Sequence, residues 1–110
     1  MNPKRKGYRD HRRAARQHFS NKWRERICDQ MPKFDLIKEE LDRAVSGKES
    51  EFFKLVHYNY YSTRWRSKYA GKTIIVAYDH SLRTPVTVWE EGVDYRVQKP
   101  NPVITKETVA

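Results

Sequence analysis

Apolar and polar side chains alternate strictly along residues 61–69. Successive side chains of a strand point to opposite faces, so this segment has an aromatic and hydroxyl face and a cationic face. The first face carries Tyr61, Thr63, Trp65, Ser67 and Tyr69, and the second carries Ser62, Arg64, Arg66 and Lys68. Ala70 and Gly71 then precede a β-branched run over residues 72–79, a pattern typical of a β-hairpin. The pattern predicts two paired strands that pack through the aromatic face.

Two further segments have the composition of strands. Residues 51–58 are apolar enough for a strand before the hairpin, and residues 84–90 predict a last strand. Pro85 lacks a backbone N–H donor, so we expect it at the start of that strand or on a sheet edge. The sequence leaves the register between the last two strands open.

Apolar positions three and four residues apart predict two helices before the sheet. The first covers residues 8–28 and ends before Pro32; its apolar side is formed by Ala14, Ala15, Phe19, Trp23, Ile27 and Cys28. We expect Phe19, Trp23 and Ile27 to pack on the sheet. The second helix begins after Asp35, the expected N-cap, and Gly47 ends it. Its apolar stripe is Ile37, Leu41, Ala44 and Val45.

The predicted fold class is α+β, with two N-terminal helices packed on a three- to four-stranded antiparallel meander sheet. Residues 8–91 form the single domain, and residues 1–7 are predicted to be a basic disordered arm. From residue 92 the pattern is lost and Pro100 and Pro102 follow, which predicts an extended or disordered tail over residues 92–110.

Composition narrows the class of protein. Of the 110 residues, 37% are hydrophobic and 34% are charged, which is enough for one modest core. The sequence has no apolar run of the roughly 18–20 residues that span a bilayer and no signal-peptide pattern, so we expect a soluble, cytoplasmic protein without a membrane partner. Cys28, the single cysteine, has no partner for a disulfide or a zinc site, and we expect it buried in the first helix. No metal or cofactor is predicted.

The positive charge is concentrated at the start of the chain. Residues 1–26 contain ten Lys/Arg and two Asp/Glu, whereas residues 27–110 contain thirteen and twelve, for a total net charge of +9. A basic block of this kind is typical of proteins that bind nucleic acid, and a solvated basic helix is the alternative. The predicted contact residues are Lys4, Arg5, Lys6, Arg12, Arg13, Arg16, Lys22, Arg26, Arg64 and Lys68.

His18 is the candidate for proton transfer. The usual phosphate-loop, dinucleotide, zinc-protease and serine-hydrolase motifs are absent, which leaves cations, tyrosines and four histidines. Metal-independent RNA cleavage needs a group that moves protons and cations that stabilise the phosphorane. His18 with Arg64 and Arg66 would form that set if the first helix and the hairpin converge. The alternative is a surface histidine, and His57 and His80 are interpreted as ordinary edge or turn residues.

A resemblance to a known family adds to this interpretation. Residues 18–27 (His-Phe-Ser-Asn-Lys-Trp-Arg-Glu-Arg-Ile), residues 64–79 and the Val-Thr-Val of residues 86–88 resemble, in order, small phage and mobile-element proteins of the barnase–EndoU–colicin–RelE-like ribonuclease toxin fold. The resemblance implies a helix-borne His and strand-borne Arg and Thr near a phosphate-binding face, which match His18, Arg26, Arg64 or Arg66, and Thr87. The predicted catalytic residues are His18, Arg66 and Thr87. Lys22 stands where the family has an arginine, and some relatives are not catalytic, so fold kinship does not establish activity.

Two functions therefore remain open. The first is an RNA-binding protein, with RNA cleavage as an added capacity, in which Trp65, Tyr69 or Tyr78 stacks a base at the rim of the cationic strand face. The second is a phage-encoded protein that binds and inhibits a host protein or ribonucleoprotein in the host cytoplasm. Salt sensitivity of RNA binding distinguishes the two functions.

Overall fold

The computed structural model describes residues 3–95, with side chains from residue 9 onward. Two helices precede four strands: α1 (Pro3–Arg26), α2 (Phe34–Val45), β1 (Lys54–Tyr58), β2 (Ser62–Tyr69), β3 (Lys72–Asp79) and β4 (Thr84–Glu90). The strands form one antiparallel sheet in the order β1-β2-β3-β4. The predicted α+β meander is confirmed, and it has four strands.

The β2–β3 hairpin follows the predicted alternation. Its two-residue turn places Ala70 and Gly71 at φ +53° and +76°, the left-handed values that a tight hairpin turn of matching twist requires. Thr63 and Trp65 are buried on the face toward the helices, while Arg64 and Arg66 are exposed on the other face. Trp65 therefore belongs to the core, as predicted.

The core lies between the helices and one face of the sheet. Phe19, Trp23 and Ile27 of α1 are only 0%, 2% and 3% exposed, so the predicted packing of this stripe is confirmed. The Phe19 ring meets Phe34 of α2 edge-on at 5.6 Å between centroids. The remaining core members from α2 and the sheet are Ile37, Leu41, Ala44, Phe53, Trp65, Ile74, Val76, Tyr78 and Val88. Full burial of each Ile, Leu, Val or Phe side chain in this core contributes about 1.5–3 kcal/mol.

The first helix differs from its prediction at both ends. It begins at Pro3, so residues 3–7 belong to α1 and do not form the predicted disordered arm. Lys and Arg are good helix formers and Pro suits a first helical position, which accounts for the earlier start. Because α1 ends at Arg26, Cys28 lies beyond the helix, half-buried, with its Sγ 2.9 Å from the Gln30 carbonyl oxygen.

The ends of α2 are only partly as predicted. The N-cap residue is Lys33, which makes no capping side-chain bond, and Asp35 lies inside the first turn. There its carboxylate still interacts favourably with the positive N-terminal end of the helix dipole. At the other end Gly47 adopts φ +89°, and its N–H donates to the Ala44 carbonyl. The predicted glycine stop is confirmed.

The two edges of the sheet are finished differently. On the β4 edge, where Pro85 was expected, the Arg26 guanidinium donates to the Val88 carbonyl at 3.2 Å, and the Glu90 N–H donates to the Tyr95 hydroxyl at 2.8 Å. The first residues of the predicted tail therefore pack against β4, and residues 96–110 of that tail lie outside the described part. On the other edge, all five residues of β1 are exposed.

Candidate nucleic-acid interface

No helix of the described chain covers the second face of the sheet, and the strand register places the cations there. Arg64, Ala77 and Thr87 form one cross-strand row, and Arg66, Ile75 and Trp89 form the next. The β1 strand adds His57 opposite Arg64 and Lys54 opposite Arg66. We call this surface the open face; it consists of Lys54, His57, Arg64, Arg66, Lys68, Thr73, Ile75, Ala77, Thr87 and Trp89.

The centre of the open face is an apolar floor with an aromatic ring beside a cation. Ile75 and Ala77 are only 5% and 9% exposed because the longer side chains of the neighbouring strands shield them. The Arg64 guanidinium reaches across β3 and lies 5.4 Å from the centroid of the Trp89 ring. A cation at this distance from an indole is attracted by the ring, so the pair holds Trp89 in place.

The cations of the open face are not equivalent. Arg66 donates two hydrogen bonds to Glu91, from Nε at 3.0 Å and from Nη2 at 2.7 Å. The hydrogen bond and charge of Arg66 lower the pKa of the Glu91 carboxyl. Within the described chain, Lys54, Arg64 and Lys68 have no carboxylate partner. The open face therefore presents three uncompensated cations and one that is paired.

The structure does not bring the three candidate catalytic residues together. Arg66 and Thr87 are on the open face, while His18 is on α1, the helix that packs on the opposite face. The His18 side chain is exposed and makes no hydrogen bond or ion pair to a described residue. Strand alternation is the reason: because Trp65 faces the helices, Arg64 and Arg66 must point away from α1. The convergence required for cleavage by His18, Arg64 and Arg66 is not found.

The aromatic residue of the open face was missed from the sequence. One of Trp65, Tyr69 or Tyr78 was expected to stack a base at the rim of the cationic face, but all three lie on the helix side, where the Tyr69 ring meets Trp23 at 5.0 Å. The aromatic residue on the open face is Trp89, which is half-buried. Strand alternation places Trp89 and Val88 on opposite faces. The sequence leaves the register of β4 open, so it does not tell which of the two lies beside the cations.

Three of the predicted contact cations on α1 have partners within the fold. Arg16 lies 3.7 Å from Asp35 and stacks over Phe34, and Lys22 pairs with Glu25 at 3.1 Å. Arg26 caps the β4 edge, as described above. These three side chains therefore already have contacts within the fold.

The other predicted α1 cations lie in different surroundings. Arg13 is exposed on the outer side of α1, next to the exposed Arg9 one turn earlier, whereas Arg12 is half-buried on the side of α2. Lys4, Arg5 and Lys6 belong to the first turns of α1, but their side chains lie outside the described set.

Comparisons of the chain with protein-family models, with curated proteins and with solved structures gave no match. The resemblance to ribonuclease toxins therefore stays a prediction. Within residues 3–95, no group of three His, Cys, Asp or Glu side chains is placed to hold a metal ion. No helix in that range is both long and apolar enough to cross a membrane.

Proposed function

We propose that this protein binds single-stranded RNA on the open face. The observation that supports the proposal best is the Arg64–Trp89 pair, held above an apolar floor on a sheet surface without a helix over it. Unpaired bases stack on aromatic rings of this kind, and flanking cations contact the phosphates. In this arrangement Trp89 stacks a base while Arg64, Lys54 and Lys68 contact the backbone.

The α1 helix supplies a second, less specific attraction. Residues 1–26 carry ten basic and two acidic side chains, and the outer side of α1 exposes Arg9, Arg13 and Arg24. Cations that follow a polyanion backbone raise affinity without reading sequence, and their contribution falls steeply with salt. The helix increases the local concentration of RNA, and the open face positions it.

RNA should remain intact in this complex. The three residues proposed for cleavage are divided between the two sides of the sheet, so proton transfer by His18 is not coupled to phosphate contacts by Arg66. Incubation of the purified protein with RNA in EDTA tests this directly. Cleavage that disappears in His18→Ala would restore the ribonuclease hypothesis.

A second candidate function is binding of a partner protein, and one observation favours it. Leu36 and Phe52 are 58% and 62% exposed beside a groove between α2 and the sheet, and Leu55 and Tyr58 extend the apolar surface along β1. Exposed apolar surface of this extent marks interaction sites in many proteins. A protein-directed inhibitor would keep its activity when the cations of the open face are neutralised.

The deciding experiment measures RNA affinity by fluorescence anisotropy for the wild-type protein and for Trp89→Leu. Loss of one stacked base costs roughly 1–3 kcal/mol, so the dissociation constant should rise roughly 5- to 150-fold. Phe52→Leu is the matched control, since it removes an exposed aromatic ring outside the open face.

Intrinsic fluorescence gives an independent signal in the same experiment. Trp23 and Trp65 are buried in the core, so quenching by RNA should come from Trp89 and should vanish in Trp89→Leu. Equal RNA affinity of wild type and Trp89→Leu, or equal losses in Trp89→Leu and Phe52→Leu, would refute binding on the open face.

A further inference from the structure

A concave surface lies on the helix side of the sheet, where α1, α2 and the turn between β3 and β4 meet. It has a volume of about 700 Å³, and small-molecule sites span roughly 300–1,000 Å³. Its wall includes Arg12 of α1, Lys38 of α2, Tyr78 of β3, and His80 and Arg83 of the turn. We call it the helix-side cleft. None of its lining residues belongs to the open face, so the two surfaces are separate.

The helix-side cleft has an excess of positive charge. Three cations, Arg12, Lys38 and Arg83, share it with one carboxylate, Asp42, which leaves an excess of two positive charges. Both oxygens of Asp42 are already engaged, because the Tyr78 hydroxyl donates to Oδ1 at 2.6 Å and the Lys38 ammonium donates to Oδ2 at 2.7 Å. An anion that enters the cleft therefore meets guanidinium groups and a neutralised carboxylate.

Arg83 is held at the mouth of the cleft by an unusual backbone. Its φ is +54°, a left-handed value at which glycine is favoured and an arginine is strained. The turn is braced by the Leu82 N–H, which donates to the Asp79 carboxylate at 2.9 Å. Burial and the hydrogen bond to Asp42 raise the pKa of Tyr78, and the charges of Arg83 and Arg12 oppose this rise. Both arginines line the wall of the cleft beside Tyr78.

A buried hydrogen-bond chain orients His80. The Trp65 indole N–H donates to the Thr63 hydroxyl at 2.8 Å, and the same hydroxyl lies 3.0 Å from His80 Nε2. A threonine hydroxyl has one hydrogen, and Thr63 can give it to Nε2 because Trp65 only donates. The Tyr78 ring fixes the plane of His80 by an edge contact at 5.3 Å.

We propose that the helix-side cleft binds the phosphate monoester of a nucleotide. Arg83 contacts the phosphate oxygens, Arg12 adds a second positive charge to the wall, and the His80 ring with Val45 forms the surface for the base. A monoester is close to doubly negative at neutral pH and matches the excess of two charges, whereas a phosphodiester carries one negative charge. The volume accommodates a nucleotide and is far larger than inorganic phosphate needs. This inference does not depend on RNA binding by the open face.

Isothermal titration calorimetry of the full chain tests the proposal with adenosine monophosphate, inorganic phosphate and adenosine. Adenosine monophosphate should bind more tightly than inorganic phosphate, and adenosine should not bind. Arg83→Gln should weaken binding of adenosine monophosphate about tenfold, the effect of one lost charge-assisted hydrogen bond. Arg43→Gln is the matched control, because Arg43 is an exposed α2 cation outside the cleft.

Competition experiments identify the source of the monoester. A short RNA with a 5′-phosphate that displaces adenosine monophosphate, while the same RNA with a 5′-hydroxyl does not, assigns the cleft to RNA ends. Failure of both RNAs to compete assigns it to free nucleotides, and both results support a phosphomonoester site. Absence of binding by adenosine monophosphate, or equal losses in Arg83→Gln and Arg43→Gln, overturns the proposal. RNA binding by the open face is tested separately, by comparing the affinity of wild type and Arg64→Gln for 5′-hydroxyl RNA. Either proposal can therefore fail without the other.

Discussion

The ion pair between Arg66 and Glu91 makes an unusual prediction: removal of a surface charge should strengthen RNA binding. At the edge of the open face, the Arg66 guanidinium donates two hydrogen bonds to the Glu91 carboxylate and so is not available to a phosphate. Glu91→Gln removes the negative charge and leaves an amide of the same shape. Arg66 then becomes available to a phosphate, alongside Lys54, Arg64 and Lys68.

The expected size of the effect follows from the number of cations. Each phosphate of a single strand that a cation neutralises contributes roughly 0.7 to the slope of log K against log salt concentration. The three uncompensated cations of the open face therefore account for a slope of roughly −2, and release of Arg66 adds about −0.7. When the salt concentration rises fourfold, the dissociation constant of Glu91→Gln for RNA should rise by a factor about 2.5 times larger than that of the wild type.

The assay is a salt series of anisotropy titrations with one single-stranded RNA. Glu39→Gln is the control, because it removes the same charge from an exposed position on α2, on the other side of the sheet. The reasoning fails if Glu91→Gln leaves the salt slope unchanged, or if Glu39→Gln steepens it by the same amount. The second result would mean that net charge, and not the open face, governs affinity.

Three further predictions concern stability and titration. Phe19→Ala should lower the free energy of unfolding in urea by roughly 3–5 kcal/mol, because Phe19 is fully buried against Phe34. Burial and the hydrogen bond to Asp42 raise the pKa of Tyr78, so Tyr78→Phe should leave the tyrosinate absorbance change of the folded protein near pH 10.0 unaltered. Because Arg66 lowers the pKa of Glu91, the pair stabilises the folded state above pH 4.5, the usual pKa of a glutamate, and this contribution is lost as the pH falls below that value. The stability of Glu91→Gln should therefore depend less on pH below 4.5.

Each of these has a result that would contradict it. A loss in Phe19→Ala no larger than that in Leu36→Ala, an exposed control, would place Phe19 outside the core. A smaller absorbance change near pH 10.0 in Tyr78→Phe would show that Tyr78 ionises in the folded state. A pH dependence below 4.5 identical in wild type and Glu91→Gln would mean that the Arg66 pair does not form in solution.

Local patterns predicted the elements because each pattern has one dominant physical cause. Alternation in β2 reports which face is buried, and the spacing of Phe19, Trp23 and Ile27 reports one side of a helix. The start of α1 was misplaced because a run of cations resembles a disordered arm, although lysine and arginine favour helix. The N-cap at Asp35 was misplaced by two residues for a similar reason, since Asp suits both a cap and a first turn.

The candidate sites were harder to predict because they depend on which elements meet. The cationic side of β2 was correctly identified, but its partner Trp89 required the register of β4, and the sequence leaves that register open. His18 was grouped with Arg64 and Arg66 by residue type, although the predicted burial of Trp65 already implied opposite faces. The helix-side cleft draws Arg12, Lys38 and Arg83 from three distant segments, and no spacing along the chain relates them.

The unequal edges of the sheet limit how copies of this protein can associate. Arg26 and Tyr95 occupy outward-pointing backbone groups of β4, whereas β1 presents its backbone along an exposed edge. A fibril requires a free edge on both sides of every subunit, and on β4 two of the outward backbone groups are already occupied. Strand addition is therefore favoured at β1 over β4, and two copies that pair through β1 form a closed pair of sheets and not a continuous one.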